Sequence, residues 1–164
     1  MKIYQVAVQA WFEQNKWSYW HPFSQSARLI EELGELARAL NDKYGEKPRK
    51  DSEEKQELLN EVGDVLYTLI CLANSQGLDL RRPKKVTDHD AKKPPLAILL
   101  LLGKACGKLC DVVESGESTL EVGVKAGNMI SVLMSLAIAT GIDLDTAIQL
   151  SISKVKKRDK DRYK

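Results

Sequence analysis

A chain of 164 residues, 43% hydrophobic and 29% charged, carries enough apolar side chains for one globular core and is neither a disordered tail nor a disulfide-stapled miniprotein. Its longest uninterrupted apolar run, residues 96–102, is seven residues against the roughly 18 to 20 that span a bilayer, and Gln5, Gln9 and Glu13 break any resemblance to a secretory leader. A cytoplasmic protein is expected. Net charge is +2 but unevenly placed: residues 31–64 hold 11 acids against 6 bases, and residues 154–164 hold 7 bases against 2 acids. These are either two solvated faces or a cation site and an anion site meeting on a phosphate-bearing ligand.

Apolar residues recur at spacings of three and four and no stretch alternates as a strand does, so the chain reads as all-α, a bundle of about six helices. A first helix covers residues 2–16, and an aromatic loop, 17–23, follows with Pro22 in it. The second helix spans 24–44, stopped by Gly45 and Pro48. Asp51 with Glu54 reads as a capping box opening a long third helix that ends at Gly77. Residues 81–95, with three prolines and six basic residues, read as a linker. A fourth helix covers 96–114, Ser118 with Glu121 caps a fifth that ends at Gly141, and a sixth runs from Asp143 into the basic tail. Cys71, Cys106 and Cys110 all lie in apolar helical patterns, which fits reduced core thiols better than disulfides or zinc.

The chain also resembles itself. Residues 61–80 (EVGDVLYTLICLANSQGLDL) align without gaps on 125–144 (KAGNMISVLMSLAIATGIDL), identical at 7 of 20 positions, and both segments close on Gly-x-Asp-Leu. A weaker match in the same direction covers 29–42. This implies a single domain, 1–164, made of two related halves, 1–80 and 96–164.

On a helical wheel Leu29, Leu33, Leu36 and Leu40 form an apolar stripe with Glu32 and Glu35 on its flank. The third helix repeats this with Leu58, Val62, Val65 and Leu69, flanked by Glu61 and Asp64. If the two helices are antiparallel neighbours, four carboxylates converge at a half-buried margin, where they repel one another unless cations neutralise them. Oxygen ligands alone point to Mg²⁺ or Mn²⁺. Di-iron is excluded by the lack of Glu-x-x-His pairs, since His21 and His89 are the only histidines. The alternative is two ordinary Glu-rich surface helices. Against it, the aligned second-half positions hold Leu101, Lys104, Lys125 and Asn128, so the acids are kept once, as a single site needs.

Glu31-Glu32-Leu33-Gly34-Glu35, followed by Glu61-Val62-Gly63-Asp64, resembles the EExxE...ExxD signature of the MazG-like, all-alpha nucleoside triphosphate pyrophosphohydrolases. The likeness extends to the aromatic loop, the run DVLYTLICLANSQGLDL and the terminal GIDLDTAIQLSISKVKKRDKDR, most of the chain. It implies a Mg²⁺-dependent helical bundle that cuts a nucleotide between its α and β phosphates. Glu32, Glu35, Glu61 and Asp64 become metal ligands by that resemblance, and Glu31 the group that holds the attacking water. The chain departs from the family in one respect: residues 81–140 intervene before the terminal basic helix, which the duplication would explain, the second half standing in for a partner subunit.

Lys154, Arg158 and Arg162 share one face of the last helix and could neutralise a departing pyrophosphate, unless the tail is a solvated terminus. Trp17, Trp20 and Phe23 could stack on a base, or simply plug the bundle end, and His21 between them reads as structural. Gly103 to Lys108 has the wrong spacing for a phosphate loop, and Leu109 stands where a hydroxyl is needed. The basic linker lacks the interleaved aromatics of a nucleic-acid binder. The expectation is therefore a (deoxy)nucleoside triphosphate pyrophosphohydrolase binding no nucleic acid and no membrane, and forming a homodimer. A dUTP-selective enzyme and a phosphoribosyl-ATP pyrophosphatase are the nearest alternatives, and a non-catalytic dimerisation or partner-binding module is the alternative of another class.

Overall fold

The computed structural model describes residues 1–46, 57–80 and 88–159. Six long helices carry the fold: α1 (Lys2–Gln14), α2 (Pro22–Tyr44), α3 (Leu58–Ser75), α5 (Pro95–Glu114), α6 (Thr119–Thr140) and α7 (Leu144–Arg158), with one short turn of helix, α4 (Asp88–Ala91), between α3 and α5. No strand occurs among the described residues, so the fold is all-α.

Local chemistry sets the helix ends. α2 starts two residues earlier than the periodicity suggests, because Pro22 occupies the first helical position, where a missing N–H is harmless, and His21 Nδ1 accepts from the Phe23 amide at 3.3 Å. Ser118 Oγ accepts from the Glu121 amide at 3.4 Å and Asp143 Oδ1 from the Thr146 amide at 2.7 Å, opening α6 and α7 where the sequence places them. The Asp51–Glu54 capping box lies outside the described residues, but it does not open α3: Glu57 is extended and the helix begins at Leu58, later than expected. The expected linker is partly helical: residues 81–87 lie outside the description, but α4 forms at 88–91 and Pro95 already opens α5. Gly77 and Gly141, at φ 66° and 71°, take left-handed conformations that close α3 and α6, which glycine adopts without a Cβ clash.

α3 is the centre of the bundle. Thirteen of its 18 residues are buried, because α2 and α7 flank it and α1 and α6 add further contacts. α2 and α3 run antiparallel: Gln25 shares a cleft with Cys71, while Asp42 shares a groove at the opposite end with Leu58. α7 runs alongside α3 in the same direction, Ala147 backing onto Gly63 and Val155 lying level with Tyr67 and Cys71. A Cβ on Gly63 would stand 2.2 Å from the Ala147 carbonyl oxygen, so only glycine permits this approach. α5 and α6 form the other hairpin, and α5 also packs on α2. By mean hydropathy α6 has the length and composition of a membrane span, although charges interrupt its apolar runs; 44% of that window is buried inside the fold. Cys71 and Cys106 are buried and Cys110 half-buried, all as free thiols.

Candidate active site

Gln25 and Glu32 stand seven positions, two helical turns, apart on α2, and this helix together with α3 and α7 walls a cleft. At one end Glu32, Glu61 and Asp64 each direct a carboxylate oxygen to within 4.8 Å of the others. All three are buried, at 3%, 7% and 5% exposure. Glu32 sits on the face of α2 turned to α3, and Glu61 and Asp64 one turn apart on α3, so the antiparallel pairing brings the three together. Glu35, one turn beyond Glu32, stands beside this group: it is half-buried, and its charge bears on both Glu32 and Glu61.

The electrostatics follow from that crowding. Burial pushes the Glu32 carboxyl up to about 7, the charges of Asp64 and Glu35 add to the shift, and Arg28 opposes it. Burial likewise raises Glu61, helped by Asp64 and Glu35. Partial compensation comes from three side chains. Arg28 pairs with Glu32 and, at 2.6 Å, with Glu31. Ser151 Oγ donates to Asp64 Oδ1 and Lys154 Nζ to Asp64 Oδ2, each at 2.5 Å. The basic helix therefore does reach the acidic cluster, through Lys154. Burial lowers the Lys154 ammonium, but the bond to Asp64 and the charges of Asp64, Glu61 and Glu32 outweigh it, and the net shift is upward. One oxygen on Glu32 and one on Glu61, each an Oε2, remain buried with no hydrogen-bond partner. Unpartnered buried carboxylate oxygens are costly, and a divalent cation is the group that oxygen ligands of this kind satisfy.

From the carboxylates a cleft of about 340 Å³ leads away between α1, the loop after it, α2, α3 and α7. Trp17 and Trp20 line it, and so do Trp11 and Phe12. Trp17 packs edge-on against Trp11 at 4.8 Å, which fixes it as part of the wall, whereas Trp20 is 46% exposed at the rim. Phe23 points away, 56% exposed and edge-on to His21. Arg158 lines the cleft and is anchored to Asp159 at 2.9 Å. Glu31 faces solvent beside Arg28. Arg162 lies outside the described residues.

Sequence reasoning did not single out Arg28, Ser151, Gln25 or Tyr67. A signal existed for two of them: Gln25, Arg28, Glu32 and Glu35 follow at spacings of three, four and three, one continuous helical face. Ser151 had none, since its role depends on which helix α7 packs against.

A family model for the MazG nucleotide pyrophosphohydrolase domain matches residues 22–86, the segment holding α2, α3 and all four acids. Two similar proteins come from Bacillus subtilis (strain 168): Uncharacterized protein YpjD is 49% identical over 80 residues, 49% of this chain and 72% of the relative, and Uncharacterized protein YvdC is 37% identical over 92 residues, 52% of this chain and 87% of the relative. The chain belongs to the MazG nucleotide pyrophosphohydrolase family. No solved structure gives a significant match. The MazG match ends before α5, so Ser151 and Lys154, which bind Asp64, come from outside the matched segment.

Proposed function

We propose that the protein hydrolyses nucleoside or deoxynucleoside triphosphates to the monophosphate and pyrophosphate, with Mg²⁺ or, alternatively, Mn²⁺ as cofactor. The observation that carries this reading is the buried trio Glu32, Glu61 and Asp64, with two unpartnered oxygens, opening onto a cleft with aromatic walls and flanking cations. Membership of a pyrophosphohydrolase family supports it.

Glu32, Glu61 and Asp64, with Glu35 beside them, would hold the cation. A cation so held supplies positive charge to phosphate oxygens and lowers the pKa of water. Glu31, at the solvent side and steadied by Arg28, would orient the attacking water and take its proton as the oxygen adds to the α-phosphorus and the bond to the β-phosphate oxygen breaks. Lys154 and Arg158 would stabilise the charge that develops on the departing pyrophosphate. Trp17 and Trp20 offer indole faces to the base.

The test is pyrophosphate release from a panel of nucleotides with Mg²⁺. Monophosphate and pyrophosphate should appear in equal amounts and cease on chelation. No turnover on any nucleotide, or release of inorganic phosphate instead, overturns the reading. Including dUTP and phosphoribosyl-ATP separates a general enzyme from a selective one.

A further inference from the structure

We propose that Gln25 is the residue that reads the nucleobase, an inference that rests on the function proposed above and deepens it. Gln25 is 5% exposed, yet it lines the cleft, and its carboxamide makes no hydrogen bond to another described residue. An amide left this way, buried except where it opens onto the cleft, is poorly solvated until a ligand completes it.

The other polar groups around the cleft are committed or less buried, Lys16 among the exposed ones. Thr68 Oγ1 donates to the Asp64 carbonyl at 3.0 Å, Arg28 holds Glu31 and Glu32, Arg158 holds Asp159, and Tyr67 is only half-buried. Ser18 is exposed at the rim. Gln25 alone among these combines burial, a free donor and a free acceptor.

Its position suits the task. Glu32 lies seven positions after Gln25 on α2, about 10 Å along the axis at roughly 1.5 Å per residue. That is the span a nucleoside needs if its α-phosphate stands at the carboxylates and its base enters the aromatic part of the cleft. Indole faces grip any base by its ring and do not distinguish one from another. A carboxamide presents one donor beside one acceptor and so favours a base edge carrying the complementary pair, in one orientation. A carboxylate in its place is acceptor-only and favours an edge with two adjacent donors, which guanine supplies through N1–H and its 2-amino group.

The experiment measures kcat/KM by pyrophosphate release for the four common deoxynucleoside triphosphates and dUTP, on wild type, Gln25→Leu and Gln25→Glu, with thermal melts to verify folding. The wild type should separate the bases. Gln25→Leu should lower kcat/KM on the favoured base about 10- to 100-fold, mainly through KM, and flatten the panel. Gln25→Glu should move the preference toward guanine. An equal loss on every base, or unchanged ratios, overturns the assignment while leaving the proposed reaction standing; a wild type that ignores the base overturns it also. A wild type with no turnover removes the reaction itself, and Gln25 with it.

Discussion

The α2–α3 and α5–α6 hairpins have similar sequences at their second helices and very different surroundings. Their C-terminal turns are alike in detail: the Leu78 amide donates to Ala73 at 2.8 Å and the Ile142 amide to Ala137 at 2.9 Å, each past a left-handed glycine. Halfway along, the likeness ends. Glu61 and Asp64 are buried against α2 and α7, whereas Lys125, at the position aligned with Glu61, is half-buried and paired with Glu121 at 3.7 Å, and Asn128, aligned with Asp64, faces solvent. A turn is set by backbone geometry and persists wherever glycine does. A charge site depends on what covers it, and only α3 is covered by both an acidic helix and a basic one.

The largest way to break this contrast is to exchange its chemistry. Asp64→Asn or Glu61→Gln should lower kcat/KM by more than about 100-fold, because groups that merely orient a metal ligand are already worth about 10- to 100-fold. Lys125→Ala and Asn128→Ala, at the aligned positions of α6, should leave turnover as it is. Steady-state pyrophosphate release checks both halves. Equal losses from the two helices would mean that the acids act through stability and not through a site, and melting curves would show it.

A subtler contrast lies in two glycines. Gly63 meets the Ala147 carbonyl oxygen at 2.2 Å from an added Cβ, whereas an added Cβ on Gly127, the aligned residue of α6, meets nothing within 4 Å. Gly63→Ala should therefore push α7 off α3 and lower stability by about 1–3 kcal/mol, taking Ser151 and Lys154 out of register with Asp64. Gly127→Ala should raise stability by about 0.5–1 kcal/mol, the ordinary gain for a helix interior. Urea denaturation that moved both the same way would refute the close approach.

These glycines mark where sequence reasoning stops. The helices were legible because apolar residues at three and four state a period directly, and the acids because Glu32/Glu35 and Glu61/Asp64 share a flank on the wheel. Gly63 reads as nothing more than a weak helix former until α7 is known to lie beside it. Likewise the partnership of Ser151 with Asp64 joins residues 87 apart in sequence, and no local pattern announces it. Pro22 was read as loop punctuation although the same residue is favoured at the first position of a helix, a choice that needs the cap to decide it.

The smallest expected effect sharpens the contrast through protons. Glu32 titrates near 7 in the folded protein against an ordinary 4.5, so between those values the native state holds a proton that the unfolded chain has released. The metal-free protein should accordingly lose stability as pH rises through this window, with the loss complete above 7. A divalent cation needs the ionised carboxylate, so its affinity should grow up to about tenfold per pH unit below 7 and level off above it. The thermal shift produced by Mg²⁺ or Mn²⁺ should thus be larger at pH 8 than at pH 6, and the difference should vanish in Glu32→Gln, whose amide cannot titrate. Replacing Glu121, the carboxylate of α6, with Gln should leave the dependence intact. A shift of the same size at both pH values in the wild type would mean that cation binding does not compete with the buried proton, and the crowding of Glu32 against Asp64 and Glu35 would then have to be relieved by Arg28 alone.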